Sequence, residues 1–202
     1  MLLGTLQTAE AVVIYPTPQH NGIRSVTTRV TDVKTILRTP ESSGGMWEHL
    51  PNVPEGYAVD ITPGKLTVYA NDETGLYYAR QSIIQMLYNV PNATLAHNDG
   101  FVGKTLREIT RLGELPMGIL VDWPDIPARG IVEGYYGAPW SFEARCSIFR
   151  FMGRNKLNTY IYAPKDAPYH HGRDCYETYP AERAAELAEL VSYARKHHVR
   201  FV

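Results

Sequence analysis

Two short apolar segments separated by a helical pattern constrain the fold of this chain more than any other feature. Residues 129–140 read Arg-Gly-Ile-Val-Glu-Gly-Tyr-Tyr-Gly-Ala-Pro-Trp, and residues 157–166 read Leu-Asn-Thr-Tyr-Ile-Tyr-Ala-Pro-Lys-Asp. Each begins as a strand and ends in small, aromatic and polar residues, an order typical of a parallel sheet covered by helices. The clusters at 134–137 and 164–166 therefore follow the carboxyl ends of two strands. In a (β/α)8 barrel, that is the face that carries the active site.

The helices that follow these strands are predicted from their starts and their apolar spacing. Ser141 is a suitable N-cap for the first helix, and Pro180 suits the first position of the second. Residues 199–202 then open a third strand, in which the chain stops. The positions predicted to face the sheet are Phe142, Cys146, Phe149 and Met152 in the first helix and Leu187, Leu190, Val191 and Ala194 in the second.

Residues 1–121 are predicted to form a separate α+β domain, and residues 122–202 the beginning of a barrel. A β-hairpin is predicted around residues 57–68, because apolar residues alternate on both sides of a Pro-Gly turn at 63–64. A helix is predicted over 74–87 behind an Asn-Asp cap, with Tyr77, Ile83, Ile84 and Leu87 on its apolar face. Further strands are predicted at 12–15, 25–33 and 115–121.

Composition excludes several functional classes. The net charge of −1 over 202 residues gives no electrostatic case for nucleic acid or for an anionic membrane as partner. No apolar run has the length of a membrane span. The two cysteines form no Cys-x-x-Cys pair, so we expect no structural zinc site.

Several site residues have two interpretations from the sequence alone. Gly134 and Gly137 either serve a ligand or permit a tight bend after the strand. Tyr135 and Tyr136 either line a pocket or pack behind it. His170 and His171, with Asp174 and Cys175, resemble a metal cluster on paper, but their spacing matches no known site and favours solvated loop residues.

The sequence closely resembles glycoside hydrolase family 84. This family comprises bacterial β-N-acetylglucosaminidases, often described as hyaluronidases, and the enzyme that removes O-linked N-acetylglucosamine from proteins. The region before residue 121 resembles the domain that precedes the barrel in families 84 and 20. The motifs that carry the resemblance lie at residues 129–137, 139–140, 155–166 and 168–170 and, in the first region, at 15–19, 56–57 and 71–81.

The resemblance implies substrate-assisted hydrolysis with retention of configuration, through an oxazoline formed by the substrate's own acetamido group. It also implies that no metal or organic cofactor is needed. It assigns Gly134 and Lys165 to substrate binding, with the Gly134 carbonyl and the Lys165 amine meeting sugar hydroxyls. Tyr135 is a third candidate for substrate binding, from its position beside Gly134. The two adjacent catalytic aspartates of the family lie after strand four, and these 202 residues contain no Asp-Asp pair. No catalytic residue is therefore expected within this chain.

We accordingly expect the N-terminal part of a β-N-acetylglucosaminidase, inactive by itself, that acts on an N-acetylglucosamine-containing glycan or glycoprotein. The alternative is a non-catalytic module that binds a glycan or a protein. A barrel cut in its third strand exposes an unpaired edge and an apolar face, so we expect the fragment to self-associate or to pack against its first domain. Bacterial members of the family are generally exported, which implies a secreted or periplasmic protein, although residues 1–11 make a poor signal peptide.

Overall fold

The structure is a computed structural model that describes residues 12–87, 101, 103–134, 136–165 and 178–202. The chain forms two compact units, one ending at Asp125 and the other spanning Ile126–Val202. The strands are β1 (His20–Asn21), β2 (Thr27–Thr28), β3 (Asp32–Leu37), β4 (Tyr57–Thr62), β5 (Lys65–Ala70), β6 (Leu115–Pro116), β7 (Gly118–Asp122), β8 (Gly130–Glu133), β9 (Thr159–Tyr162) and β10 (Arg200–Phe201). The helices are α1 (Glu73–Met86), α2 (Leu106–Thr110), α3 (Phe142–Arg154) and α4 (Ala181–Lys196), with a short 3₁₀ helix at Gly45–Glu48.

The first unit is built on a five-stranded mixed sheet with the order β1-β7-β4-β5-β3. The predicted hairpin is confirmed as β4 and β5, which pair antiparallel from Tyr57 opposite Ala70 to Thr62 opposite Lys65. Gly64 supplies the positive φ of 73° that its turn requires. Strand β3 joins the edge by pairing parallel to β5, so the sheet combines a local hairpin with a distant strand.

Helix α1 packs its buried face on this sheet, and that face coincides only in part with the predicted one. Asp72 caps the helix by accepting a hydrogen bond from the Gly75 amide at 2.7 Å, as the sequence predicts. The fully buried positions are Ala79, Ile83 and Met86. The predicted residues Tyr77, Ile84 and Leu87 are only partly buried beside them. The prediction is confirmed at Ile83, and it missed Ala79 and Met86, which complete the buried face.

The predicted strand at 12–15 is wrong. Val12 and Ile14 are buried in the core, but these residues pair with no strand. Side chains satisfy the backbone instead, since Asn21 donates to the Val12 carbonyl at 3.0 Å and Gln85 contacts both backbone polar atoms of Tyr15 at 2.7 Å. Apolar residues here reach the core without a sheet ladder.

A buried polar cluster joins β4, α1 and β7. The Tyr57 hydroxyl lies 2.6 Å from the Ser82 hydroxyl and donates to Asp122 Oδ2 at 3.0 Å. Burial, and then the charge of Asp122, raise the pKa of Tyr57 well above its ordinary range. Tyr57 is therefore a neutral donor to an acidic acceptor inside the unit.

We expect Tyr57→Phe to lower the free energy of unfolding of the first unit by about 1–3 kcal/mol, because buried Asp122 loses a hydrogen-bond donor. Urea unfolding measures the change. Tyr69→Phe is the matched control, since half-buried Tyr69 contacts Trp47 through its ring and needs no hydroxyl for that contact. Equal stability of the two variants would contradict a role for the Tyr57 hydroxyl.

The second unit contains three parallel strands in the order β10-β9-β8, joined by α3 and α4. The predicted helix faces are confirmed at Phe149 and Met152 of α3 and at Leu190 and Ala194 of α4, all completely buried. Ser141 caps α3 as predicted, whereas Pro180 is the N-cap of α4 and not its first residue. The two helices pack together and bury a second core, to which Tyr160 of β9 contributes.

Candidate functional site

The carboxyl ends of β8 and β9 bring the predicted site residues to one edge of the sheet. Glu133 is the register partner of Tyr162, and the Ala163 amide donates to the Glu133 carbonyl at 3.0 Å. The residues that follow these two strands therefore leave the sheet side by side. Gly134 comes directly after β8, and Lys165 lies three residues after β9.

Gly134 is half-buried, and its backbone does not require glycine, whereas Gly137 has a φ of 116° that side chains rarely adopt. Of the two glycines after β8, Gly137 is therefore the one whose backbone conformation requires glycine. A β-carbon at Gly134 would lie 3.1 Å from a methyl group of Val132. Within the described ranges, no protein group donates a hydrogen bond to the Gly134 carbonyl oxygen. That oxygen is available to a ligand.

The Lys165 side chain is exposed beyond β9. Its ammonium group lies 4.9 Å from the ring centroid of Tyr136, which is 74% exposed. Such a cation–π contact at an exposed site contributes about 0.5–1 kcal/mol, so it orients the lysine without holding it fixed. Tyr136 lies at the surface of this edge and is not packed behind it. Tyr135, the third predicted site residue, lies outside the described residues.

The buried carboxylate of Glu133, the last residue of β8, anchors the end of this strand through four hydrogen bonds. Glu133 is completely buried, and Arg145 of α3 donates to both of its oxygens at 2.7 and 2.9 Å. The Tyr160 hydroxyl donates to the same carboxylate, and the Trp140 amide approaches it at 3.3 Å. These donors tie the end of β8 to β9, to α3 and to the loop before α3.

The protonation states follow from these contacts. Burial alone would raise the pKa of Glu133, but hydrogen bonds from Arg145 and Tyr160 outweigh it and hold this pKa below the ordinary range. Burial and the bond to Glu133 raise the pKa of Tyr160 far above that of a free tyrosine. Glu133 is thus an ionised carboxylate surrounded by donors, which suits a structural role and not proton transfer.

The pairing of Glu133 with Arg145 was not predicted from the sequence. One signal was present in the sequence. Arg145 lies three residues after Phe142 and four before Phe149, so it shares the buried face of α3. An arginine inside an apolar stripe predicts a buried acidic partner.

The aromatic side chain at the end of β9 is held on the helix side of the sheet. Tyr162 stacks on Phe201 with ring centroids 5.6 Å apart, and the Arg145 guanidinium lies 5.0 Å from its centroid. Arg183 donates to its hydroxyl at 2.6 Å and forms an ion pair with Glu186. Tyr162 therefore packs between strands and helices and leaves the edge itself to Gly134 and Lys165.

The suggested metal cluster of His170, His171, Asp174 and Cys175 lies outside the described residues. Among the residues that are described, no three His, Cys, Asp or Glu side chains are grouped so as to hold a metal ion. None of the helices in that part of the chain combines the length and the hydropathy of a membrane span.

Two protein families match the two units of the chain. The family described as beta-N-acetylglucosaminidase matches residues 129–202, which include β8, β9 and both site residues. The family described as glycosyl hydrolase family 20, domain 2, matches residues 8–123, more than half of the chain. Together the matches cover both units almost completely.

Individual relatives agree with these families. The Protein O-GlcNAcase of Rattus norvegicus and that of Mus musculus are each 45% identical over 73 residues, which is 36% of this chain and 8% of theirs. The solved structure of CpGH84B has a TM-score of 0.68 at 24% identity, covering 94% of this chain and 36% of that one. CpGH84D has the same TM-score at 21% identity, covering 95% and 37%. The chain spans little more than a third of these structures and a much smaller part of the curated relatives.

Proposed function

Because this chain belongs to the family described as glycosyl hydrolase family 20, domain 2, and its residues 129–202 match the beta-N-acetylglucosaminidase family, we propose that it supplies part of the sugar site of a retaining β-N-acetylglucosaminidase of glycoside hydrolase family 84. The observation that carries the proposal is the shared strand-end edge of Gly134 and Lys165, in the unit that matches the beta-N-acetylglucosaminidase family. The substrate would be an N-acetylglucosamine-containing glycan or glycoprotein.

The second unit is proposed to be the first part of a (β/α)8 barrel. Three parallel strands joined by two helices that cover one face support this proposal. On the other face, Val132 and Ile161 are exposed to 59% and 38%, although apolar residues of barrel strands normally fill a barrel interior. Gly134 and Lys165 then lie at the carboxyl-terminal face, where barrel enzymes bind substrate.

At that face, each residue has a distinct part in sugar binding. The Gly134 carbonyl oxygen accepts a hydrogen bond from one sugar hydroxyl, and the Lys165 ammonium donates to another oxygen of the same ring. Neither group changes protonation, so their effect is to fix the position of the ring. The contact with Tyr136 keeps the Lys165 amine at this edge before substrate arrives.

The proposed chemistry is substrate-assisted. The acetamido oxygen attacks the anomeric carbon while the glycosidic bond breaks and a general acid protonates the departing oxygen. Water then opens the oxazoline, so that configuration is retained. The family's paired aspartates would serve both steps, and these 202 residues contain no such pair. The isolated 202-residue chain is therefore expected to release no phenol from an aryl N-acetylglucosaminide.

Lys165→Ala tests the proposed site. In a Protein O-GlcNAcase whose matching segment is replaced by residues 129–202, we expect this change to lower kcat/KM by about 10- to 100-fold. The reason is the loss of a hydrogen bond from a charged donor, worth about 1.5–3 kcal/mol. Hydrolysis of an aryl N-acetylglucosaminide measures it.

Lys196→Ala is the matched control, since this exposed lysine ends α4 before β10 begins, away from the carboxyl ends of the strands. It should leave kcat/KM unchanged. Equal activity of the Lys165 and Lys196 variants would remove Lys165 from the site. An inactive but folded hybrid would favour a non-catalytic binding module instead.

A further inference from the structure

A concave surface that contains neither Gly134 nor Lys165 lies in the first unit. A cavity of about 300 Å³ opens between helix α2 and the chain that leads into β3. Its volume is at the lower end of the range for ligand pockets, about 300–1,000 Å³, so it suits a single sugar unit or a group of that size.

Three arginines surround this cavity: Arg29, Arg107 and Arg111. Arg107 and Arg111 are four residues apart at α2 and share a face, and Arg29 approaches from the other wall. All three are exposed. Within the described part of the chain, none of their guanidinium groups donates a hydrogen bond to protein. Their donors are therefore available to a ligand.

The acid on α2 has its hydrogen bonds elsewhere and meets the three arginines only through the charge of Arg111, which helps to lower the pKa of Glu108 after its hydrogen bonds with Thr105. Glu108 lies on α2 between the two helical arginines, but its carboxylate accepts the Thr105 amide and hydroxyl, both at 2.7 Å, in a capping box. The chain as a whole carries a net charge of −1, so general basicity does not explain three arginines around one cavity.

The rest of the lining complements a carbohydrate. The hydroxyl of the exposed Thr31 donates to the Gly64 carbonyl at 3.2 Å, which leaves its oxygen free to accept a hydrogen bond from a hydroxyl group. Val30 and Val33 add apolar surface for sugar C–H groups. No aromatic ring is among the described lining residues, whereas pockets for nucleotide bases use aromatic stacking.

We propose that this cavity binds the carboxylate or sulfate group of an acidic glycan. A guanidinium presents paired donors that match both a carboxylate and a sulfate. Three guanidinium groups line this one small cavity, so they can donate together to a single anionic substituent. The choice of a glycan rests in part on the proposed function. The first unit then anchors an acidic chain independently of the site at Gly134 and Lys165.

Calorimetric titration of the 202-residue protein tests this proposal with four probes. Tetragalacturonate carries carboxylates, a heparin tetrasaccharide adds sulfates, chitotetraose is neutral, and octathymidylate is a phosphate polymer. We expect saturable binding of at least one acidic oligosaccharide, weaker as salt increases, and none of chitotetraose. The stronger of the two acidic probes identifies the preferred oxyanion. Absence of binding by both, or stronger binding of octathymidylate than of either, would overturn the proposal.

The double variant Arg107→Gln, Arg111→Gln should weaken binding of the acidic oligosaccharide by about tenfold or more, since two charged donors are lost. Arg24→Gln removes the same charge from an exposed position outside the cavity and should change affinity by less than about twofold. Equal losses in both would show a diffuse charge effect and refute the site. Lys165→Ala should leave this affinity unchanged, so failure here and failure of the proposed function are separate results.

Discussion

Replacing Glu133 with glutamine is expected to lower the free energy of unfolding of the second unit by about 3–5 kcal/mol. The substitution keeps the shape of the side chain but leaves the completely buried Arg145 without its anionic partner. Removing one member of a buried ion pair is costly because the remaining charge keeps its desolvation penalty. Hydrogen exchange of peptides from β9 and α3 along a urea series measures the loss in this unit alone.

The effect should also depend on pH. Because the pKa of Glu133 is lower in the folded state, its stabilising contribution is present above the ordinary glutamate pKa of about 4.3 and disappears as pH falls through the folded value. The difference between wild type and Glu133→Gln should therefore be largest at neutral pH and shrink in acid. A difference that grew in acid would contradict the assigned sign.

Glu186→Gln is the control for this variant. Glu186 makes the same type of pair with Arg183, but both side chains remain partly exposed, at 34% and 25%. Pairs near the surface contribute about 0–1 kcal/mol, so this variant should unfold close to wild type. If the two glutamine variants lost equal stability, burial of the Glu133–Arg145 pair would not be the cause.

Gly130→Ala is expected to destabilise the second unit by about 3 kcal/mol or more. A β-carbon at this position would lie 1.5 Å from the Thr159 carbonyl oxygen and 2.5 Å from its carbonyl carbon. These atoms belong to the backbone of β9, directly opposite in the register, so no side-chain rotation relieves the clash and the strands must separate. The same hydrogen-exchange measurement along a urea series reports the loss.

Gly134→Ala is the matched control on the same segment. The added methyl would meet a Val132 methyl at 3.1 Å, and the backbone there is not in the left-handed region. We expect a loss below about 1 kcal/mol and an intact Gly134 carbonyl. Wild-type stability of Gly130→Ala would show that β8 and β9 tolerate a wider separation than the structure has.

Local sequence signals predicted much of the fold correctly. The hairpin, the cap and bounds of α1, and the sheet-facing residues of α3 are confirmed, because each depends on contacts between residues close in the chain. The strand at 12–15 is wrong because an apolar run reports burial and not the presence of a pairing partner.

Part of the candidate site could likewise be predicted from the sequence, and part could not. Gly134 and Lys165 could be named from the sequence through their position after two strands and through the family resemblance. The support beneath them could not, since Glu133 meets partners 12 and 27 residues away whose polar atoms converge only after α3 packs on the sheet. The arginine cavity could not be predicted from the sequence either, because Arg29 and Arg107 come from separate parts of the chain.

By itself, the sequence determined the hairpin, the three long helices, the parallel order of strand, helix and strand in the second unit, and the family resemblance. Apolar periodicity, caps and turn residues act over a few positions and are written directly in the chain. Only the tertiary structure decided which face of α1 is buried, that β3 pairs with β5, and that Arg145 neutralises Glu133. Those outcomes depend on close packing and on desolvated charge between distant residues, and both are set when the elements meet.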